Sequence, residues 1–245
     1  MATSLADFAE QINPQINPKT LDEAPRAGFR QATRVHGSLL AAAEKRALVW
    51  MAERMPARVN SDHLTFLGFA SQIATGVCYA LAARDRRMLL AAIVCLAVNW
   101  FGDSLDGTLA RVRQQQRPRY GFYVDHMIDS IGAAAMMGGL ALSGSMHPVI
   151  AIGLLIAFLL LSIQSYLATY TLGEFHLSLW HFGPTELRVL LAIGNLAMFR
   201  WAWVIHGRYR LFDIGGAIGL AVMLLMLVAV SLKNTVRLYR EERIS

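Results

Sequence analysis

Six apolar segments, each close to the length of a membrane-spanning helix, follow one another between residues 64 and 232. A helix needs about 20 mostly apolar residues to cross the hydrocarbon core of a bilayer. Hydrophobic residues make up 55% of the chain, which is uncommon in soluble proteins. We therefore predict an all-α, polytopic membrane protein with six transmembrane helices. The segments are Leu64–Ala83, Met88–Ala110, Gly121–Leu142, Pro148–Leu172, Leu187–Ile205 and Phe212–Leu232.

The connections between these segments are short, so we expect the six helices to form one bundle. This predicts a transmembrane domain over residues 59–245 and a cytoplasmic region over residues 1–58. Within the cytoplasmic region, Leu39–Met55 mixes apolar and charged residues in a pattern typical of an amphipathic helix. Such a helix can lie on the cytoplasmic membrane surface, where anionic headgroups attract its cations. A soluble helix that caps the bundle fits the same pattern.

The basic residues predict the orientation of the chain in the membrane. With both termini in the cytoplasm, 17 of the 23 Lys and Arg residues lie on the cytoplasmic side and 6 lie outside, as the positive-inside rule requires. We expect no signal peptide, because the first long apolar stretch begins more than sixty residues into the chain. A bacterial-type inner or plasma membrane is the expected location. Topology accounts for the positive charge, so we expect no nucleic-acid partner.

Four aspartates lie where the second and third apolar segments meet. Asp103 and Asp106 are three residues apart, whereas Asp125 and Asp129 are four apart, so each pair shares one face of a helix. Carboxylates beside hydrocarbon need a compensating partner to stay ionised. Their oxygen atoms select hard cations such as Mg²⁺, Mn²⁺ or Ca²⁺. Because few protein ligands are available, we expect substrate phosphates to complete the coordination.

Glycine and arginine residues lie in register with these aspartates. Gly107 and Gly121 each lie within about one helical turn of an aspartate, where a missing side chain lets a ligand approach the backbone. Arg111 offers a guanidinium group suited to phosphate oxygens. Helix-packing glycines and a solvated basic loop are the plainer alternatives. The shared register favours a site for a phosphate-bearing substrate.

The pattern Asp103-x-x-Asp106-Gly107-x-x-Ala110-Arg111, followed by Gly121-x-x-x-Asp125-x-x-x-Asp129, resembles the signature of the CDP-alcohol phosphotransferase family. Members of this family are integral membrane enzymes, and the six predicted spans agree with the fold that the resemblance implies over roughly residues 60–232. The spacer between Arg111 and Gly121 holds nine residues, slightly more than we expect in that family.

The resemblance implies a reaction in which a CDP-linked donor transfers a substituted phosphoryl group to an acceptor hydroxyl and CMP is released. It implies Mg²⁺ or Mn²⁺ on the pyrophosphate, in a site that holds two ions, and it also implies a homodimer. By position, the implied metal ligands are Asp103, Asp106, Asp125 and Asp129, and Asp129 is also the implied general base. The residues implied to line the CDP site are Gly107, Ala110, Arg111 and Gly121.

The acceptor site is less clearly marked. Arg188 and Glu186 resemble the charged start of the fifth span in family members, where a basic residue can serve a phosphorylated acceptor. Two interfacial charges at a helix end fit equally well. His126 lies beside Asp125 but one position round the helix, so we expect it to point away from the metal. Further polar candidates for the pocket are Asn99, Gln164, Ser165 and Tyr166.

Three classes of function compete. The leading one is a phosphatidyltransferase that takes CDP-diacylglycerol from the bilayer and a small alcohol from the cytosol. A related alternative is a CDP-choline or CDP-ethanolamine enzyme that acts on diacylglycerol. A prenyltransferase also binds pyrophosphate through aspartates and Mg²⁺, but its acids should lie in two motifs far apart in the sequence. A transporter could use the acids as a cation or proton site, although it would not need the glycines and arginine in register.

Overall fold

The computed structural model of the protein describes residues 41–172, 184–201 and 209–242. Within these ranges the chain forms helices and no β-strand. Leu39, Leu40, the connection at 173–183 and the predicted span residues 202–205 lie outside the described ranges. The helices are α1 (Ala41–Glu53), α2 (Ser61–Ala82), α3 (Met88–Val112), α4 (Pro118–Leu142), α5 (Pro148–Leu172), α6 (Pro184–Arg200) and α7 (Leu211–Glu241).

Each of the six predicted apolar segments corresponds to one helix, from α2 to α7. Four of these helices, α2, α3, α5 and α7, are long and apolar enough to cross a membrane. Of the other two, α4 is more polar because it carries Asp125 and Asp129, and α6 is shorter, with only 17 residues. The all-helical class is confirmed and the long apolar helices are those of an integral membrane protein, whereas the count of six spans stays a prediction.

Helix α2 lies against both helices that carry the aspartates. A Cβ atom added to Gly102 of α3 would lie 2.6 Å from the backbone nitrogen of Gly68 on α2. A Cβ atom added to Gly139 of α4 would lie 2.0 Å from the carbonyl oxygen of Gly76, also on α2. Small residues at such crossings let helix backbones approach closely inside a membrane. The first crossing places Asp103, the residue after Gly102, directly beside α2.

The interior is packed in two clusters of buried apolar side chains. The first lies at the end of the bundle remote from the aspartates and includes Tyr79, Leu89, Leu96, Leu140, Met198 and Phe212. There the buried Asn195 side chain of α6 donates a hydrogen bond to the Tyr79 hydroxyl of α2 at 3.1 Å. The second cluster lies near the aspartates and includes Leu48, Ala52, Leu64, Leu105 and Leu109. It joins α1 to α2 and α3.

Helix α1 falls inside the predicted amphipathic segment and is anchored to the bundle. Leu48 and Ala52 are buried, whereas Lys45 and Arg46 are exposed. The connection from α1 to α2 is held by Arg113 of the α3–α4 connection, whose guanidinium donates to the carbonyl oxygens of Met55, Pro56 and Val59. This docking accounts for the buried face of α1, and its contact with a membrane surface stays a prediction.

Candidate active site

The carboxylate groups of three aspartates converge at one end of the bundle. One oxygen each from Asp103 on α3 and from Asp125 and Asp129 on α4 all lie within 4.8 Å of one another. Each of the three side chains is partly buried. Three negative groups at this separation repel one another in a poorly solvated site, so a cation would stabilise the arrangement.

The connection between α3 and α4 makes this convergence possible. Helix α3 ends at Val112, and Gln114 adopts a left-handed backbone conformation with φ of 56°, which turns the chain away from the helix axis. Pro118 then occupies the first turn of α4, where its fixed φ angle suits a helix start and its missing N–H is not needed. After this short turn α4 runs back along the bundle, and both α3 and α4 pack against α2.

Asp106 borders the group of three but is held by other contacts. Its Oδ2 accepts a hydrogen bond of 2.6 Å from the Thr65 hydroxyl on α2, and its Oδ1 accepts one from the Gly107 backbone N–H. The Ser61 hydroxyl donates to the Asp106 carbonyl oxygen at 3.0 Å. Asp106 lines the same small cavity as Asp103 and Asp129. Its carboxylate is therefore oriented by α2 at the edge of the site.

A hard divalent cation fits the donor set of this site. Mg²⁺ binds oxygen ligands at about 2.0–2.1 Å, so two ligands of one ion lie at most about 4.2 Å apart. The three carboxylate oxygens lie within 4.8 Å of one another, and small side-chain rotations would bring them into that range. Carboxylate oxygens are also the ligands that Mg²⁺ and Mn²⁺ prefer. Three of the four aspartates that the sequence predicted as metal ligands therefore lie together, and their role as ligands stays a prediction.

Arg188 supplies a positive charge inside the site. Its guanidinium forms an ion pair with Asp103, and its Nε donates to the Asn99 side-chain oxygen at 2.8 Å. Only 16% of the Arg188 side chain and 28% of the Asp103 side chain are exposed, so water screens the pair weakly. The structure therefore places Arg188 at the aspartates rather than at a distant helix end.

The remaining predicted binding residues lie on the last turns of α3 and the first turn of α4. A Cβ atom added to Gly107 would lie 3.5 Å from its nearest neighbour, the Arg111 side chain. A Cβ atom added to Gly121 would meet nothing within 4 Å. Arg111 donates to the Thr108 hydroxyl at 3.0 Å, and Ala110 is partly buried. The space beside both glycines is open to a ligand, and the assignment of these four residues to a CDP site stays a prediction.

The His126 side chain packs against two aromatic residues. Its Nδ1 lies 2.6 Å from the Phe122 carbonyl oxygen, and its ring packs edge-on against Tyr166 of α5 at 5.0 Å between centroids. The sequence predicted that this side chain points away from the metal ligands. The direction of this side chain relative to the carboxylates stays a prediction.

Several residues that shape the site were not singled out from the sequence. Thr65 gave no signal, because its contact with Asp106 joins positions 41 residues apart. Gly68 and Gly102 are small residues within apolar segments, and this pattern is a usable signal for close helix crossing. Asn99 was noted only as a polar candidate, although its spacing of four residues from Asp103 puts both on one helix face.

Comparison with known proteins identifies the family. The family model described as CDP-alcohol phosphatidyltransferase matches residues 59–230, a range that contains all four aspartates. The chain belongs to the CDP-alcohol phosphatidyltransferase family. A search of curated proteins found no match. The resemblance seen in the sequence is thereby confirmed.

Family membership fixes the broad chemistry. The protein is a transferase of substituted phosphate groups that acts in phospholipid biosynthesis. It moves a phosphatidyl group from a CDP-alcohol to an alcohol acceptor, and enzymes of this family generally use divalent metals. The four long apolar helices agree with an integral membrane enzyme.

Proposed function

We propose that this transferase uses CDP-diacylglycerol as its donor and a small hydroxyl compound as its acceptor, in a reaction that depends on Mg²⁺ or Mn²⁺. The observation that carries the proposal is the convergence of three carboxylates within 4.8 Å in a member of this family. Two ions are the expected complement, held by Asp103, Asp106, Asp125 and Asp129. When bound, such ions would neutralise the charge that develops on the departing CMP.

Asp129 acts as the general base. A bond forms between the acceptor oxygen and the phosphorus of the phosphatidyl group while the bond from that phosphorus to the CMP oxygen breaks. The Asp129 carboxylate receives the proton of the acceptor hydroxyl. Its place within the carboxylate group keeps it close to the reacting phosphate. Asp103 and Asp125 would hold the cations to which the pyrophosphate binds, so catalysis rests on positioning and electrostatics.

The nucleotide lies beside the open faces of Gly107 and Gly121. Neither position carries a side chain that would obstruct the approach of a phosphate or ribose to the backbone. Ala110 leaves room for the nucleotide, and Arg111 binds its phosphate oxygens. The small cavity at the aspartates has room for about one water molecule. Side chains at its edge therefore move when the donor binds.

Arg188 binds the acceptor when the acceptor carries a phosphate. Its guanidinium already lies at the carboxylate group through Asp103 and Asn99. A phosphate oxygen could replace the Asp103 oxygen as the guanidinium's partner, because arginine binds carboxylate and phosphate with the same geometry. This exchange would bring the acceptor hydroxyl next to Asp129.

The lipid donor reaches this site sideways from the bilayer, while the acceptor arrives from the cytosol. The division of basic residues supports a cytoplasmic site with both termini on the same side. All six helices from α2 to α7 cross the membrane in this arrangement, as the 59–245 domain. The 1–58 region contributes α1 at the surface, where the exposed Trp50 and Arg54 suit a headgroup layer. The enzyme functions as a homodimer in a bacterial-type inner membrane.

An acceptor screen tests the proposal. The full chain in lipid nanodiscs receives CDP-diacylglycerol, Mg²⁺ or Mn²⁺, and in turn glycerol 3-phosphate, inositol phosphate or serine, with CMP and lipid product measured. We expect CMP only when metal, donor and one acceptor are present together. CMP release solely from CDP-choline or CDP-ethanolamine with diacylglycerol would overturn the donor assignment. No CMP release from any CDP-linked compound would overturn the whole proposal.

A further inference from the structure

A carboxylate on α1 joins two helices of the site without belonging to the aspartate group. Glu44 Oε1 accepts a hydrogen bond of 2.8 Å from the Trp100 indole N–H on α3. The same oxygen accepts a second bond of 2.7 Å from the Thr185 hydroxyl on α6. Glu44 is partly buried, so both bonds form where water competes weakly for them. One acceptor therefore ties the first turn of α6 to α3.

The two partners of Glu44 lie in register with the active-site ion pair. Trp100 precedes Asp103 by three residues on α3, and Thr185 precedes Arg188 by three residues on α6. Residues three apart lie on the same face of a helix, about one turn from each other. The helices α3 and α6 are thus bridged twice, once through Glu44 and once through Arg188 and Asp103.

The bridge through Glu44 matters because Arg188 has a long, flexible side chain. A guanidinium keeps a fixed place only when the backbone that carries it is fixed as well. Thr185 lies at the second residue of α6, directly after Pro184, so a contact there controls how α6 enters the bundle. Hydrogen bonds to a charged acceptor are stronger than those between neutral groups. Glu44 is therefore well placed to fix the start of α6.

We propose that Glu44 is a positioning residue that sets the first turn of α6 against α3 and thereby holds the Arg188 guanidinium at the aspartate site. Helix α1 is then part of the framework of the active site as well as a surface helix. An effect of Glu44 on turnover rests on the proposed role of Arg188 in acceptor binding. An effect of Glu44 on the position of α6 does not depend on any substrate.

A distance measurement between two spin labels tests this positioning role. One label is placed on α6 at Leu187→Cys and the other beside the end of α2 at Ala83→Cys, both at exposed positions, after Cys78 and Cys95 are replaced by alanine. Double electron–electron resonance in nanodiscs, with the labelled chain diluted into excess unlabelled protein so that each dimer carries one labelled chain, should give a single narrow distance for this parent. Glu44→Ala should shift that peak to longer distance or replace it by a broad distribution.

Three further variants make the test specific. Glu44→Gln keeps a side-chain oxygen that can accept both bonds, so it should retain the parent's narrow peak. Thr185→Val removes the same link from the α6 side and should reproduce the effect of Glu44→Ala. Lys45→Ala alters an exposed neighbour on α1 and should leave the distance unchanged. A narrow, unshifted peak in both Glu44→Ala and Thr185→Val would overturn the proposal, as would a Glu44→Gln peak as broad as that of Glu44→Ala.

Turnover gives a second, separable readout. With glycerol 3-phosphate as the acceptor probe, Glu44→Ala should raise the acceptor KM while the KM for CDP-diacylglycerol stays unchanged. An equal rise in both KM values would contradict a role through Arg188. A wild-type protein that releases no CMP with any acceptor of the screen would contradict the proposed function, and the spin-label distances would then decide the role of Glu44 alone.

Discussion

Replacing Gly102 by alanine should impair catalysis without touching a reacting group. The added Cβ would lie 2.6 Å from the backbone nitrogen of Gly68 and 2.6 Å from the carbonyl oxygen of Leu64. Ordinary van der Waals contact begins at about 3.5 Å, so α2 and α3 would have to separate by about 0.9 Å. Both obstructing atoms belong to backbone, which cannot rotate away as a side chain can.

The expected losses of stability and of catalytic rate follow from that displacement. Overpacking of a close helix contact costs about 1–3 kcal/mol of stability. Asp103 follows Gly102 directly and would move with it, away from Asp125 and Asp129. A misplacement of about 1 Å in a catalytic constellation lowers the rate by about 10²-fold. We therefore expect Gly102→Ala to lower kcat for CMP release by about 10²-fold.

The assay is steady-state CMP release from CDP-diacylglycerol, together with thermal unfolding of the same sample. Gly138→Ala is the matched control, because that glycine also lies inside a helix and an added Cβ there would meet nothing within 4 Å. The control should keep the wild-type rate and gain up to about 1 kcal/mol of stability from helix propensity. A Gly102→Ala protein that turns over at the wild-type rate would refute the close-contact reasoning.

Three other outcomes follow from the site. Asp129→Asn should reduce turnover by about 10²–10⁴-fold while most CDP binding remains. Asp103→Asn should instead weaken metal-dependent CDP binding itself. An equal loss of CDP binding in both variants would argue against Asp129 as the base. Thr65→Val should lower metal affinity by about 10–100-fold, since it frees the Asp106 carboxylate, and Thr65→Ser should restore it. Treatment with EDTA should abolish CMP release, and Mg²⁺ or Mn²⁺ should restore it; turnover that survives chelation would exclude the metal site.

The helices could be predicted from the sequence because apolar length is a strong local signal. Helix α5 has the predicted bounds, Pro148 to Leu172, since it is mostly apolar and contains no charged residue. Helix α7 continues past the predicted end at Leu232 to Glu241, because its charged last turns remain helical after the apolar run stops. Hydropathy alone marks where a helix can enter lipid, and it does not mark where the helix ends.

The aspartate pairs could also be predicted, whereas their supporting contacts could not. Spacing within one helix shows that Asp125 and Asp129 share a face, since the period of the helix is fixed. The bond from Thr65 to Asp106 and the two bonds to Glu44 join segments that are distant in the sequence. Such contacts depend on how helices cross, and that is decided by glycine positions such as Gly102 together with the packing around them.

Arg188 shows the same limit on prediction. Its charge and its place at a helix start were visible in the sequence, and they fitted a surface charge as well as an acceptor site. Only the packing of α6 against α3 places its guanidinium on Asp103 and Asn99. The chemistry of a residue was readable from the sequence, while its partner was set by tertiary structure.

Binding of Mn²⁺ tests the central claim, that the aspartates hold metal on the pyrophosphate of the donor. Titration of the purified protein, with free Mn²⁺ followed by electron paramagnetic resonance, can be run with and without CDP-diacylglycerol. We predict about two bound ions per chain with the donor present, as in other two-metal phosphoryl-transfer sites, and strong loss of binding in Asp125→Asn. Mn²⁺ binding that is the same with and without the donor, or unchanged in Asp125→Asn, would contradict the account.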